Sequence, residues 1–355
     1  MLPGRRMCRD NSELKRELAM KGKNYLLAGL MALCLLTVIG RSEAKELIFN
    51  MGYGKVQVID VGTDELLPDI AIKGWAREAA ASADKKFLYV TANRHLIHKI
   101  DLKEMRVVKS INMHDEEWDR FIFGMELVED GKTAYVHLLP RRIKGGDQVV
   151  VGSPIVAQID LETGKILRSI EVPFGVSYLA YVKNKQTLYA VGQDITMIDV
   201  AGREMKLSGL YPMFDKGINM LPLFTYAEEN NGVALLPYGI GEASGLLSID
   251  THTGAITETM IKSPMMVYGA MYSPDMKKAY ANMDELYVVD LATQTVTSSQ
   301  SIPTGTTFSL MTSADGKKIY LQGGANITIY DAQTLKVIKV LHMSTDGMLL
   351  RRVSM

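Results

Sequence analysis

Along residues 45–355 the apolar positions fall in short runs rich in Val, Ile, Leu and Tyr, separated by clusters of Asp, Gly, Lys and Thr. Runs of this length and β-branched content, bounded by turn residues, predict strands rather than helices. The pattern is most legible near the C-terminus. There Ser313-Ala-Asp-Gly-Lys-Lys-Ile-Tyr-Leu321 precedes Ile327-Thr-Ile-Tyr-Asp331-Ala-Gln-Thr-Leu335, and Val337-Ile-Lys-Val-Leu341 follows. A strand ending at Ser313, strands at Ile319–Leu321 and Ile327–Tyr330, and a fourth at Val337–Leu341 make one small antiparallel sheet. Asp315-Gly316 supplies the positive φ of the first turn. A sheet of this size cannot bury both faces alone and must stack on copies of itself.

The copies are present. An aspartate closing an apolar run recurs at Asp60, Asp101, Asp160, Asp199, Asp250, Asp290 and Asp331, at spacings of 41, 59, 39, 51, 40 and 41 residues. The first turn recurs at Ser82–Tyr89, Glu129–Tyr135 and Ser273–Tyr280. A four-stranded propeller blade takes roughly 40–50 residues. The expected fold is therefore all-β: a seven-bladed β-propeller of four-stranded antiparallel blades. The first repeat, Glu46–Gly74, shows three strands, and Met348-Leu-Leu-Arg-Arg-Val353 is the missing one. Its pairing with blade one is expected to close the ring and remove the open edge.

Residues 1–44 read as a leader outside the fold, with Met20 as an alternative start. Lys21 and Lys23 precede an apolar run from Tyr25 to Gly40, and Ser42-Glu-Ala44 is a small-x-small cleavage site, the layout of a secretory signal. The run is short of the roughly 20 residues that span a bilayer. A periplasmic location and no stable membrane insertion are expected. The whole chain carries 40 basic and 40 acidic residues; loss of eight basic and four acidic residues with the leader leaves −4. Such a chain has no electrostatic attraction for nucleic acid. Cys8 and Cys34, the two cysteines, both lie in the leader, so ring closure rather than disulfides must stabilise the remainder.

Chain length beyond the blade minimum falls at Pro140–Gln148 and Pro237–Gly245, both between second and third strands, and at the inter-blade connections His114–Arg120 and Tyr211–Leu221. In a propeller these two loop types share one end, opposite the Asp-Gly and Asp-x-x-Thr turns. Long loops on a rigid scaffold are where binding concentrates. Trp118, Asp119, Arg120, Arg141, Arg142, Tyr211, Phe214 and Tyr238 are the candidate partner-interface residues; anchors for a partner and loop-packing aromatics are equal alternatives. No catalytic, cofactor-binding or metal-binding residue is assigned. The chain has no Cys-x-x-Cys-His, His-Glu-x-x-His or Gly-x-Ser-x-Gly motif. His95 and His98 would face opposite sides of a strand. His114-Asp-Glu-Glu117 reads as a solvated turn sooner than a cation site, and the repeat aspartates as turn formers. The methionines fill the core by default, a copper site being the minor alternative.

Phe121-Ile-Phe-Gly124 leading into Glu129-Asp-Gly-Lys-Thr133, and Leu321-Gln-Gly-Gly-Ala325 leading into Tyr330-Asp-Ala-Gln-Thr-Leu335, resemble the β-propeller subunit of bacterial quinohemoprotein amine dehydrogenase. The resemblance covers the chain after the leader, and includes the YVTN-type stretch Tyr89-Val-Thr-Ala-Asn93. It implies a non-catalytic subunit of a periplasmic heterotrimer that oxidatively deaminates primary amines. A small subunit would carry a tryptophan-derived quinone and a dihaem cytochrome c subunit would carry haem c. This chain would hold no cofactor itself. The alternatives are a stand-alone binding or scaffold propeller and, third, a lactonase-type hydrolase with an acidic metal site on the central channel.

Overall fold

The computed structural model describes residues 45–128, 130–144, 148–220 and 227–355, so the expected leader lies outside the described residues. Strands β1 (Glu46–Asp60), β2 (Glu65–Ala81), β3 (Phe87–Ala92), β4 (Leu96–Asp101) and β5 (Arg106–Asn112) form the first sheet with the last strand, β27 (Gly347–Ser354). The second sheet holds β6 (Asp119–Leu127), β7 (Thr133–Lys144), β8 (Gln148–Val151), β9 (Ile155–Asp160) and β10 (Ile166–Glu171). The third runs β11 (Tyr178–Val182), β12 (Thr187–Val191), β13 (Ile195–Asp199) and β14 (Lys206–Tyr211). The fourth runs β15 (Ile218–Met220), β16 (Val233–Ile240), β17 (Ala243–Asp250) and β18 (Ile256–Ile261). β19 (Gly269–Tyr272), β20 (Lys278–Asn282), β21 (Glu285–Asp290) and β22 (Thr295–Ser301) make the fifth. β23 (Ser309–Thr312), β24 (Lys318–Gly323), β25 (Asn326–Asp331) and β26 (Val337–His342) make the sixth. All pairings are antiparallel.

The turns form for the reasons legible in the chain. Ser82, Ser273 and Ser313 each donate to the aspartate two residues on at 2.7 Å, and each hydroxyl accepts the N–H five residues on at 3.0 Å. The second turn is built by the repeat aspartate. Asp101 accepts from the N–H groups of Lys103 and Glu104, Asp250 from His252 and Thr253, Asp331 from Gln333 and Thr334. The residue four after the aspartate then takes positive φ, as at Gly164 (74°) and Gly254 (70°). These side-chain bonds replace backbone partners that the reversal removes.

Six sheets replace the seven separate blades that the repeats predict among the described residues. The difference lies in the first two repeats. β1 reverses near Gly54 (φ 71°), so that Val61 N–H donates to the Glu46 carbonyl at 3.0 Å and the Asn50 amide to Gln57 at 3.0 Å. β2 then runs without interruption. Its first half pairs with β1, up to Tyr53↔Trp75, and from Ala76 onward it pairs with β3. Elsewhere a loop separates consecutive repeats; here Gly74 (φ 92°) bends the strand without ending it, and the two repeats fuse into one six-stranded sheet.

The ring closes as expected through its C-terminal strand. β27 pairs with β1 from Glu46↔Ser354 to Gly52↔Gly347. Leu349, Leu350 and Val353 are buried in a cluster that joins the first, fifth and sixth sheets. Further clusters join the first sheet to the second, the second to the third, the third to the fourth and the fourth to the fifth. Asp64 adds a polar clasp, accepting from Tyr320 Oη and Lys318 Nζ at 2.7 Å each. The apolar area buried between neighbouring sheets holds the ring together.

Candidate functional site

Part of the excess loop length extends a strand pair. The Pro140–Gln148 insertion lengthens β7, which pairs with β8 from Arg141↔Val151 to Lys144↔Gln148. This hairpin exposes Ile143 (68 %), Val149 (53 %) and Val151 (50 %) to solvent, an unusual density of apolar side chains on a projecting element. At its base Arg142 lies 4.6 Å from the Trp118 ring centroid and Arg141 lies 4.1 Å from that of Phe121. Glu117 pairs with Arg142 at 2.7 Å, Asp119 with His114 at 3.2 Å and Arg141 at 3.8 Å, and Asp115 with Arg120. His95 stacks on His114 at 4.1 Å, and His114 meets Phe121 edge-on at 5.4 Å. Burial, then the neighbouring His95, lowers the His114 pKa. The His114–Glu117 loop is a turn closed by Asp115, which accepts from the N–H groups of Glu117 and Trp118.

Five of the eight candidate interface residues, Trp118, Asp119, Arg120, Arg141 and Arg142, are therefore neighbours. The other three stand apart. Tyr211 donates to Glu258 at 2.7 Å, Lys216 pairs with Glu258 at 2.6 Å, and Phe214 is exposed. Tyr238 is 4 % exposed and belongs to the core. Its ring lies over Gly245, its cross-strand partner, where an added Cβ would come within 2.2 Å. The aromatic occupies the space that the glycine leaves, so Tyr238 is withdrawn from the interface. His98 donates or accepts only with Ser110 and the Lys73 carbonyl, apart from His95.

A second feature was not legible beforehand. A cavity of about 760 Å³ lies between the inner strands β2, β6, β11 and β27 and is lined by Arg77, Glu78, Arg94, Phe123, Glu126, Tyr178 and Arg351, among others. Strand alternation would turn Arg77 and Glu78 to opposite faces, but a register shift at Ala76/Glu78 on β2 re-aims them, and a second shift at Ile122/Met125 on β6 precedes Glu126. Glu78 and Glu126 are enclosed by protein yet half-buried, because they face the cavity. Burial raises Glu78 to about 7, against the pull of Arg351, and raises Glu126 to about 8, helped by Glu228 and Glu78.

The Asp-x-x-Thr end of the cavity is crossed by the 3-10 turn Glu228–Asn230. Glu229 pairs with Arg351 at 3.0 Å and accepts from the Arg352 N–H at 3.3 Å, while Glu228 pairs with Lys85. Arg77 and Arg94 mark the opposite end, where they also line a second cavity of about 440 Å³ with Trp75, His95, His114, Phe121 and Arg141. Arg77 lies 4.1 Å from the Trp75 ring centroid and Arg94 4.4 Å from that of Phe123. The one hint in the chain was charge amid small or apolar residues, an Arg-Glu pair in Ala76-Arg-Glu-Ala-Ala-Ala81 and a single Glu in Gly124-Met-Glu-Leu127. Among the described residues no three His, Cys, Asp or Glu side chains are grouped to hold a metal ion, and no helix is long and apolar enough to cross a membrane.

No family model and no curated protein matches the chain. Solved structures do. Hydrazine synthase of Kuenenia stuttgartiensis is similar over 82 % of this chain and 90 % of its own, at 16 % identity and a TM-score of 0.55. Dihydro-heme d1 dehydrogenase NirN in complex with DHE is similar over 87 % of this chain and 75 % of its own, at 14 % identity and 0.57. A functionally unknown protein of Desulfotomaculum acetoxidans is similar over 87 % and 99 %, at 12 % identity and 0.61. At these identities the likeness lies in the fold, and the fold is that of a β-propeller.

Proposed function

We propose that this chain is a non-catalytic propeller subunit of a periplasmic, quinohemoprotein amine dehydrogenase-like complex. The observation that carries the reading is the β7–β8 hairpin, whose exposed Ile143, Val149 and Val151 project beside the Trp118–Arg142 and Phe121–Arg141 stacks. Apolar side chains ringed by aromatic and arginine groups are the composition of an interface centre. In this reading a small subunit with a tryptophan-derived quinone and a dihaem cytochrome c subunit dock there and supply the redox chemistry. One structural neighbour is a dehydrogenase by name, which agrees in kind. Tagged chain purified from its native host is expected to bring down a haem-staining band and a small quinone-staining band. Ile143→Asp with Val149→Asp should release both while leaving the melting temperature unchanged. A single colourless band from the unaltered chain would overturn the reading.

A stand-alone binding propeller is the second reading, and the enclosed cavity between the inner strands favours it.

A further inference from the structure

Pairing the charges around the inner cavity leaves an asymmetric remainder. Glu229 is matched by Arg351 and Glu228 by Lys85. Glu78 and Glu126 make no ion pair among the described residues, and neither do Arg77 and Arg94. The two guanidiniums are close enough that Arg94 depresses the pKa of Arg77 after burial has done so. Arg77 donates to the Met348 sulfur at 3.0 Å and otherwise rests on Trp75. Arg94 and Arg351 act on Glu78, and Arg351 on Glu126, without reaching ion-pair distance, and partly desolvated groups that lack a direct ion-pair partner are costly to a fold. One register shift lies at Arg77 and Glu78 on β2 and another just before Glu126 on β6, and such bulges commonly re-aim side chains beside binding sites; Arg94 joins them from the β3–β4 turn. The cavity volume, about 760 Å³, falls within the range of roughly 300–1,000 Å³ typical of small-molecule sites.

We infer that this cavity binds a small zwitterion of the ω-amino acid or short-peptide type, its ammonium group against Glu78 and Glu126 and its carboxylate against Arg77 and Arg94. The ligand supplies each pair with the direct ion-pair partner that the protein does not bring within reach. Entry runs through the second cavity, because Arg77 and Arg94 line both. Arg351, held by Glu229, stands beside the carboxylates, and Tyr178, Tyr181, Lys183, Glu228 and His252 are the other ionisable residues that line the cavity. The ammonium N–H groups donate to carboxylate oxygens, and the proton that Glu126 holds near neutrality leaves for the solvent. This inference is independent of the hairpin's partner.

Isothermal titration of the purified full chain with ω-amino acids from glycine to 6-aminohexanoate tests it. At least one is expected to bind, and hexylamine and hexanoate each to bind about tenfold more weakly, as loss of a charge-assisted hydrogen bond implies. The heat should differ between phosphate and Tris buffers in the sense of proton release. Glu126→Gln and Arg94→Gln should each weaken the best ligand about tenfold or more. Absence of heat across the series would overturn the inference. So would hexylamine binding as tightly as the zwitterion, or binding without proton release. The buffer comparison uses the unaltered chain, so it stands even where a variant fails to fold.

Discussion

The ring-closing strand β27 offers the sharpest test of how this fold is held. Leu350 is fully buried, pairs with Asn50 of β1, and its N–H donates to Ser309 Oγ at 3.0 Å. Leu350→Ala should cost about 2–5 kcal/mol, because the closed ring prevents the neighbours from collapsing into the space. With an m-value of about 3 kcal/mol/M for a chain of this size, the urea midpoint should fall by about 0.7–1.7 M. Removing the whole strand is more severe. Leu349, Leu350 and Val353, at about 1.5–3 kcal/mol each, together contribute about 5–9 kcal/mol. That approaches the about 5–15 kcal/mol of total stability in a typical protein. The truncated chain should be unfolded or aggregated through the exposed edge of β1. Ile338→Ala, on the outer strand β26 and 49 % exposed, is the control and should shift stability by less than about 0.5 kcal/mol. Denaturation followed by circular dichroism reads all three. A chain lacking residues 347–355 with an unaltered midpoint would refute the account of closure.

Three other outcomes are expected. Glu126, raised from 4.5 to about 8 by burial, binds its proton more tightly folded than unfolded, so its contribution is complete below pH 4.5 and is lost as pH rises toward 8. Glu126→Gln should therefore flatten the fall in urea midpoint across that window and exceed the parent at pH 8; an unchanged slope would contradict the burial argument. Tyr320→Phe removes the hydroxyl that donates to Asp64 at 2.7 Å between the sixth and first sheets and should cost about 1.5–3 kcal/mol, measured by the same denaturation. Asp250→Ala removes the acceptor for His252 and Thr253 N–H and should cost about 1 kcal/mol, with no change in the far-ultraviolet spectrum; a change there would mean that the turn sets the register of β17 and β18.

The clustering of five of the eight candidate residues was legible, and the reason is local. Trp118 and Arg142 come together because their loops extend neighbouring strands of one sheet, so that sequence position alone places them at one end. Tyr238 failed because its environment depends on its cross-strand partner, Gly245. A tyrosine in an inserted stretch reads as surface until the opposing residue is known.

The chain by itself determined the strands, the serine and aspartate turns, the end that carries the insertions, and the closure of the ring by its last strand. These follow from contacts within a few residues and from a repeat that can bury its faces only against copies of itself. Tertiary structure decided the rest. The fusion of two repeats into one sheet depends on how a single glycine bends β2. The meeting of Arg77, Glu78 and Glu126 involves bulges that break strand alternation on two strands 40 residues or more apart in sequence, and Arg94 joins them from the β3–β4 turn. Local propensity cannot specify such a convergence, because each charge is ordinary within its own strand or turn and becomes costly only when the ring surrounds it.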